Sequence, residues 1–367
     1  MTSAPNRDLE HHRPFAAGSR LAAALPVLLL CTVALAAVAI GAGPGWLPLL
    51  AVVPALAAVT CRPCGVLAVG LLAVTLGSLA GCRGDGPGRE QTIVLCTLVA
   101  VTLAGALASR LRVRRERVLA AVRSVAEAAQ HALLQPVPAT VGRFQVAVRY
   151  SAAAAEARIG GDLYALVHSP YGVRVIVGDV RGKGLPAVGT AALVLGVFRE
   201  AAYDEPDLLD VVARIERSLA RNLGPDDFVT AVVTGHPGAD RLEVVNCGHA
   251  PPLLMRGGDS GGVRTVQPVE PPHPAPPLGL RALTGQAPAL QVVPFADGDQ
   301  LLLYTDGVIE ARNRDREFYP LADRVPLHLT DEPSRTLSTL GDELLSHVGG
   351  RLHDDAALLL MRKPAAV

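Results

Sequence analysis

Residues 160–186 read GGDLYALVHSPYGVRVIVGDVRGKGLP. The segments 162–168 and 173–178 are rich in Val, Ile, Leu and Tyr, most of which favour β-strands. Between them lies Ser-Pro-Tyr-Gly, a sequence typical of a tight turn. We therefore expect a β-hairpin. Its antiparallel pairing would bring Asp162 beside Asp179 at one edge of the sheet.

Glycines surround both of these carboxylates. Gly160 and Gly161 precede Asp162, and Gly178 precedes Asp179. Glycine allows the backbone to approach a ligand closely. Two carboxylates that converge in such a setting suit a hard divalent cation, which binds oxygen ligands. The alternative is that each aspartate only caps a turn.

The composition limits the classes of partner. The chain has 367 residues, with 34 basic and 34 acidic side chains and a formal net charge of zero. We therefore expect no nucleic acid partner, because general binding to a polyanion requires an excess of positive charge. Hydrophobic residues make up 50% of the chain and aromatic residues 4%, and the mean hydropathy is +0.33. Such a high hydropathy indicates membrane segments.

Four uncharged apolar stretches occupy the N-terminal part of the chain: 21–43, 46–60, 65–81 and 92–108. A helix needs about 20 apolar residues to cross a bilayer, so we expect about four transmembrane helices, of which the second and third are near the short limit. A signal peptide is the alternative interpretation of the first stretch. Arg residues are concentrated before the first stretch and after the fourth. The positive-inside rule therefore predicts a multi-pass protein of the cell membrane with a cytoplasmic C-terminal part.

Residues 109–135 have apolar side chains at helical spacing, and Pro136 ends the pattern. The basic residues of the first turns suit an anionic membrane surface. The helix is either a two-stranded linker, which would make the protein a homodimer, or a single packed helix. The predicted organisation is a cytoplasmic tail (1–20), a membrane domain (21–108), a helical linker (109–135) and a C-terminal domain (136–367).

The C-terminal domain is predicted to contain strands, then two helices, more strands, a helix and a last strand. This order favours an α+β layered sandwich. Asp306 follows the apolar strand 301–305, and Asp354 and Asp355 precede the last strand. Strand ends on one rim can converge, and a cluster of carboxylates needs cations to stay ionised. Oxygen ligands alone favour Mg²⁺ or Mn²⁺ over Zn²⁺. Such a centre can activate water for attack at phosphorus.

Seven segments of this domain occur in the order GGD (160–162), GDVRGKGLPA (178–187), FVTAVV (228–233), NCGHAPPLL (246–254), PLGL (277–280), LLLYTDGVIEARN (301–313) and DDAALLLMR (354–362). Together they resemble the motif set of the SpoIIE/RsbU-type serine/threonine phosphatases. These enzymes are the bacterial branch of the metal-dependent protein phosphatase 2C (PP2C) superfamily. The resemblance extends from about Val141 to Arg362.

The resemblance implies a four-layer αββα sandwich that hydrolyses phosphoserine or phosphothreonine. It implies that Asp162, Asp179, Asp306 and Asp354 hold two Mn²⁺ or Mg²⁺ ions, with Asp179 bridging both. The backbone carbonyl of Val180 would assist. It also implies a phosphorylated anti-anti-sigma (STAS) protein as the partner, and therefore a role in sigma-factor or stress regulation.

Other residues of these motifs have less settled roles. Asp355 is a further candidate ligand. Arg181 stands where the family usually has Ser, and Cys247 where it often has Ala, but neither change removes a ligand. Arg181 and Lys183 face either the substrate phosphate or solvent. His249 is either a general acid or part of a structural turn, which we favour.

A different class of function is also compatible with the sequence. The chain could be a non-catalytic membrane signalling module that binds a regulatory partner through the phosphatase fold. Loss of a ligand aspartate would favour that interpretation. All four predicted ligands are present, so we expect an enzyme.

Overall fold

A computed structural model describes residues 44–81, 89–152, 160–224, 226–238, 240–256 and 265–365, together with six isolated positions between 26 and 35. The predicted tail, 1–20, and most of the predicted first span, 21–43, lie outside the described residues. The chain divides into two compact units, Met1–Ala121 and Val122–Val367, and each is considered by itself.

The described part of the first unit contains apolar helices. They are a 3-10 helix (Pro44–Ala51), α1 (Val52–Thr60), α2 (Pro63–Gly81) and α3 (Arg89–Leu133), which continues into the second unit. A small apolar core that includes Leu50, Val66 and Leu98 holds them together. Ser109 Oγ on α3 donates a hydrogen bond to the Cys61 carbonyl at 2.8 Å. This bond supplies a donor at the end of α1, where carbonyls lack partners within the helix.

Two described helices are long and apolar enough to cross a membrane, Arg89–Val122 and Leu185–Asp204. The latter is a core helix of the second unit, in which Phe198 is fully buried, and core helices meet the same criterion. The predicted second and third spans form shorter apolar helices, Leu47–Thr60 and Pro63–Leu79. The predicted region of four transmembrane helices is therefore not confirmed.

The predicted linker is a helix, but it does not begin where the charged residues begin. It is the last part of α3, so the predicted fourth span and the linker are one continuous helix that ends at Leu133. Arg199 Nη2 donates a hydrogen bond to the Leu133 carbonyl at 2.9 Å and so provides a partner for a carbonyl at the end of α3.

The second unit contains two sheets and the helices that cover them. Its elements are β1 (Thr140–Val141), β2 (Phe144–Ser151), β3 (Asp162–Ser169), β4 (Gly172–Val180), α4 (Leu185–Asp204), α5 (Leu208–Asn222), β5 (Val229–His236), β6 (Arg241–Cys247), β7 (Leu253–Met255), β8 (Val266–Pro268), α6 (Arg281–Thr284), β9 (Leu290–Pro294), β10 (Gln300–Tyr304), α7 (Asp306–Ile309), α8 (Leu321–His328), α9 (Pro333–His347) and β11 (Ala356–Arg362).

The strands form a six-stranded sheet with the order β1-β2-β11-β10-β7-β8 and a five-stranded sheet with the order β3-β4-β5-β6-β9. Helices α4 and α5 pack on the five-stranded sheet, and α8 and α9 pack on the six-stranded sheet. Strands β10 and β11 contact β4 and β3, so the sheets face each other. The layers are therefore helices, sheet, sheet and helices, and the predicted α+β class is confirmed.

Apolar side chains explain why α4 and α5 lie on the sheet. Val194, Leu195 and Phe198 of α4 are fully buried, as are Val211 and Ile215 of α5. Burying a large apolar side chain stabilises a fold by roughly 1.5–3 kcal/mol. The 3.6-residue period of α5 directs its apolar residues to one face, whereas α4 is apolar on most of its faces.

The β3–β4 hairpin forms as predicted. Its pairing runs from Ser169 opposite Gly172 at the turn to Asp162 opposite Asp179 at the far end. The two carboxylates are therefore direct cross-strand neighbours on one rim of the sheet, and the register predicted from the turn is confirmed.

Candidate metal centre

Three carboxylates converge where the hairpin meets the end of β10. Asp162 begins β3, Asp179 lies opposite it in β4, and Asp306 begins α7 two residues after β10. One carboxylate oxygen from each residue lies within 4.8 Å of the others. Asp162 is buried, Asp179 is partly buried and Asp306 is exposed, so the group opens toward solvent. An oxygen-only group of this size suits a hard divalent cation.

Gly161 permits this convergence. The Val180 amide donates to the Gly161 carbonyl at 3.1 Å, and a Cβ placed on Gly161 would lie 2.3 Å from the Val180 carbonyl oxygen. A side chain at residue 161 would therefore push the start of β3 away from β4. The contact places the Val180 backbone next to Asp162, whereas the role of the Val180 carbonyl as a ligand stays a prediction.

Burial and mutual repulsion raise the pKa values of the three carboxyl groups. Burial, followed by the charge of Asp179, holds the pKa of Asp162 well above its usual value. Burial, followed by Asp306 and Asp354, raises the pKa of Asp179 to about 7. Although Asp306 is exposed as a residue, partial desolvation of its carboxyl group is the main cause that raises its pKa. A bound cation would remove this penalty, so the electrostatics fit a metal site.

Thr305 orients the Asp162 carboxylate through a hydrogen bond. Its hydroxyl donates to Asp162 Oδ2 at 2.7 Å and accepts a hydrogen bond from the Ala357 amide at 2.9 Å. Thr305 is fully buried. One hydroxyl thus links the start of β3 to β11, which lies in the other sheet.

Replacing Thr305 by Val should weaken both the fold and the metal site. Val keeps the shape but leaves the Ala357 amide and Asp162 without a partner, which costs about 1–3 kcal/mol for each buried group. We expect a lower melting temperature by scanning fluorimetry, with roughly 2–4 °C lost for each kcal/mol. We also expect weaker Mn²⁺ binding. Thr305→Ser keeps the hydroxyl and is the matched control. A Val variant that equals the wild type in both measurements would contradict this role.

Asp354, the fourth predicted ligand, lies beside the three-carboxylate group. Its Oδ2 forms an ion pair with Lys183 Nζ at 2.7 Å. Both residues line an open cavity of about 310 Å³, together with Asp179 and Asp306. Small-molecule sites range over roughly 300–1,000 Å³, so the cavity can accept a small anion. Asp354 faces the same space as Asp179 and Asp306, and its contact with a metal stays a prediction.

Asp355 is turned toward the protein interior. Its Oδ2 accepts hydrogen bonds from the Gly160 amide at 3.1 Å, from Gln130 Nε2 at 3.5 Å and from the Tyr150 hydroxyl. Asp355 is buried and is not one of the three carboxylates that converge. It instead ties the start of the GGD motif to β2 and to the end of α3.

His249 belongs to a structural turn. The Asn246 side chain accepts a hydrogen bond from the His249 amide and donates one to its carbonyl, both at 2.9 Å. The imidazole Nε2 lies 3.0 Å from the Tyr304 carbonyl and therefore donates to it, so that Nδ1 accepts from the Thr230 hydroxyl, also at 3.0 Å. Both ring nitrogens of this buried side chain are occupied. The geometry therefore favours the structural alternative, because the one proton of the neutral ring is held in the hydrogen bond to the Tyr304 carbonyl.

His249 should make stability depend on pH. Burial lowers the pKa of His249 to about 4. An unfolded His has a pKa of about 6.5, so the unfolded chain binds more protons between these values and stability falls as the pH drops through this window. We expect the melting temperature of the wild type to fall more between about pH 7 and pH 5 than that of His249→Gln. Parallel declines in the two proteins would exclude this contribution.

Sequence reasoning missed Tyr150, Gln130 and Thr305. Thr305 immediately precedes Asp306, and a hydroxyl beside a predicted ligand is a signal that could have identified it. Tyr150 and Gln130 contact Asp355 across more than 200 residues of chain, and no local pattern indicates such a contact.

A family model described as stage II sporulation protein E (SpoIIE) matches residues 169–364, just over half of the chain. The matched range contains Asp179, Asp306 and Asp354 and begins after Asp162. The phosphoserine phosphatase RsbU of Bacillus subtilis (strain 168) is 23% identical over 217 residues, which cover 56% of this chain and 60% of RsbU.

Two solved structures are similar. The RsbU and RsbW domains of Rv1364c from Mycobacterium tuberculosis match with a TM-score of 0.51 and 25% identity, covering 61% of each chain. The SiaA-PP2C domain of Pseudomonas aeruginosa matches with a TM-score of 0.57 and 16% identity, covering 69% of this chain and 99% of that domain. The second likeness concerns the fold alone. The chain spans 60% of the length of RsbU and 61% of the mycobacterial chain.

Proposed function

This chain belongs to the SpoIIE family and has the PP2C-type phosphatase fold, and on that basis we propose that it is a metal-dependent protein serine/threonine phosphatase. The observation that carries the proposal is the convergence of Asp162, Asp179 and Asp306 within 4.8 Å. Carboxylates that repel one another at this distance are stabilised by divalent cations, and RsbU, a relative, is named a phosphoserine phosphatase.

The residues of the site have different roles in the proposed reaction. Asp162, Asp179 and Asp306 would hold two Mn²⁺ or Mg²⁺ ions, with Asp354 as the fourth side-chain ligand. When bound, such ions would supply an activated water and would offset the negative charge of the phosphoryl group. Thr305 keeps one oxygen of Asp162 in position through its 2.7 Å hydrogen bond. The open cavity lets a phosphorylated side chain of another protein enter from solvent.

The proposed substrate is a phosphorylated anti-anti-sigma (STAS) protein. The motifs resemble those of phosphatases that act on such proteins, and one similar structure contains an RsbU and an RsbW domain in the same chain. Dephosphorylation of the STAS protein would free it to bind an anti-sigma factor and so release a sigma factor.

Membrane attachment through about four helices is part of the proposal, with the phosphatase domain in the cytoplasm. Support comes from large apolar side chains on the outside of α2 and α3. Leu71, Leu79 and Leu103 are 65%, 66% and 59% exposed. Water disfavours such exposure, whereas the hydrocarbon of a bilayer accommodates it.

A homodimer through α3 is also proposed. Leu111, Val118, Val122 and Val125 are all exposed on this helix. Their spacings of seven, four and three residues place them along one stripe, as in two-stranded coiled coils. Cross-linking in membranes, with Val118 and Val125 replaced together by Lys, would detect loss of the dimer.

The substrate proposal is tested with the full chain in bilayer discs. Candidate STAS proteins from the same organism are phosphorylated on Ser or Thr, and phosphate release is followed with Mn²⁺, with Mg²⁺ and with EDTA. We expect one or a few of them to be dephosphorylated, with activity only in the presence of a divalent ion. Binding of a STAS protein without hydrolysis would overturn the enzyme assignment in favour of the non-catalytic signalling module.

A further inference from the structure

The loop that joins β4 to α4 places a guanidinium group beside the carboxylate centre. Arg181 is the first residue after β4, two positions beyond Asp179. It lines the same cavity of about 310 Å³ as Asp179, Asp306 and Asp354.

Neutral groups hold Arg181 at the cavity wall. Its guanidinium carbon lies 5.3 Å from the centre of the Phe228 ring, and Nη1 donates a hydrogen bond to the Asp226 carbonyl. Its amide donates to the Phe228 carbonyl at 3.0 Å. The side chain is therefore positioned by an aromatic face and a backbone oxygen. Within the described part of the chain, no carboxylate forms an ion pair with it.

Lys183, two residues further on, is in a different situation. Its ammonium group is paired with Asp354 at 2.7 Å, so its charge is largely balanced. Divalent cations on Asp162 and Asp179 would balance the charges of those carboxylates as well. Of the two cationic side chains on this cavity wall, Arg181 is then the one whose charge no side chain offsets. Its remaining N–H groups can bind an anion that enters the cavity.

We propose that Arg181 binds the phosphoryl oxygens of the substrate and positions the phosphate monoester against the metal centre. The inference rests on the proposed phosphatase function and deepens it. A guanidinium offers planar, paired donors that match two oxygens of a phosphate, whereas an ammonium offers a point charge. The stacking on Phe228 reduces the freedom that Arg181 loses when it binds, which favours affinity.

The test compares Arg181→Gln and Arg181→Lys with the wild type as full chains in detergent micelles. Inorganic phosphate is titrated calorimetrically in the presence of Mg²⁺, and kcat and KM are measured on a phosphoseryl STAS protein. A charge-assisted hydrogen bond changes affinity by about tenfold to a hundredfold. We expect Arg181→Gln to weaken phosphate binding and raise KM by such a factor. Arg181→Lys should restore part of both.

Arg217→Gln is the matched control, because Arg217 is exposed on α5 and does not line the cavity. Unchanged phosphate affinity and KM in Arg181→Gln would overturn the inference. A lower melting temperature with unchanged phosphate affinity would also overturn it, because Arg181 would then only brace the Asp226 segment. A wild type that binds phosphate through Arg181 but hydrolyses no phosphoprotein would leave this site standing and reject the phosphatase proposal.

Discussion

Asp179→Asn is expected to abolish phosphatase activity while leaving the protein folded. Asp179 is the cross-strand neighbour of Asp162, and its carboxylate lies within 4.8 Å of those of Asp162 and Asp306. Loss of an outer-shell partner of a metal ligand already costs 10–100-fold, so removal of a ligand should lower kcat/KM by at least about a hundredfold. Phosphate release by the full chain with Mn²⁺ measures the effect.

The stability of the same variant distinguishes a functional carboxylate from a structural one. Without metal, Asp179 is repelled by Asp306 and Asp354, and this repulsion helps to raise its pKa to about 7. Asparagine removes the like charge, so the metal-free variant should melt no lower than the metal-free wild type. Asp210→Asn, on an exposed position of α5, is the control and should change neither property. Retained activity in Asp179→Asn would contradict the proposed mechanism.

Gly307→Ala is expected to cause the largest loss of stability near the site. A Cβ on Gly307 would lie 1.8 Å from the Asp355 carbonyl oxygen, and this neighbour is backbone that cannot rotate away. Overpacking of this kind costs typically 1–3 kcal/mol and occasionally more. The melting temperature should fall by roughly 2–4 °C for each kcal/mol. Activity should fall as well, because relief of the clash moves Asp306 away from Asp354.

Gly189→Ala, in the same domain, is expected to have the opposite effect on stability. Gly189 lies inside α4, is exposed, and has no atom within 4 Å of a Cβ placed on it. Alanine in a helix interior is more favourable than glycine by about 0.5–1 kcal/mol. We therefore expect a small rise in melting temperature and unchanged activity. If both substitutions lowered stability equally, the clash at Gly307 would not be the cause.

The hairpin could be predicted from sequence because its determinants are local. Strand-forming residues flank a Pro- and Gly-containing turn, and a short turn fixes which residues face each other. Once the register is fixed, Asp162 must lie opposite Asp179. The position of Asp306 could also be predicted from the sequence, because Asp306 follows an uninterrupted apolar strand.

The position of Asp355 could not be predicted in this way. It follows Asp354 directly in the chain, yet one forms an ion pair at the cavity wall and the other is buried against Tyr150. Which of two adjacent carboxylates faces a cavity depends on how segments that are distant in the sequence pack against each other. The short strands β1 and β8 were missed because two or three residues are too few to show a period of two.

The continuity of α3 across the predicted boundary between the fourth apolar stretch and the linker could not be predicted for a different reason. The appearance of several Arg residues after position 108 indicates the end of an apolar segment, but it does not interrupt backbone hydrogen bonding. Arg is a good helix former, and no Pro or Gly lies between residues 106 and 133. The helix therefore continues from the apolar part through the basic part.

Binding of Mn²⁺ to the full chain tests the metal centre most directly. Calorimetric titration of the metal-free protein in detergent micelles gives the affinity and the number of ions. We predict saturable binding by the wild type and its loss in a double variant that combines Asp179→Asn with Asp306→Asn. A wild type that binds no Mn²⁺, or a double variant that binds it as tightly as the wild type, would contradict the assignment of these carboxylates.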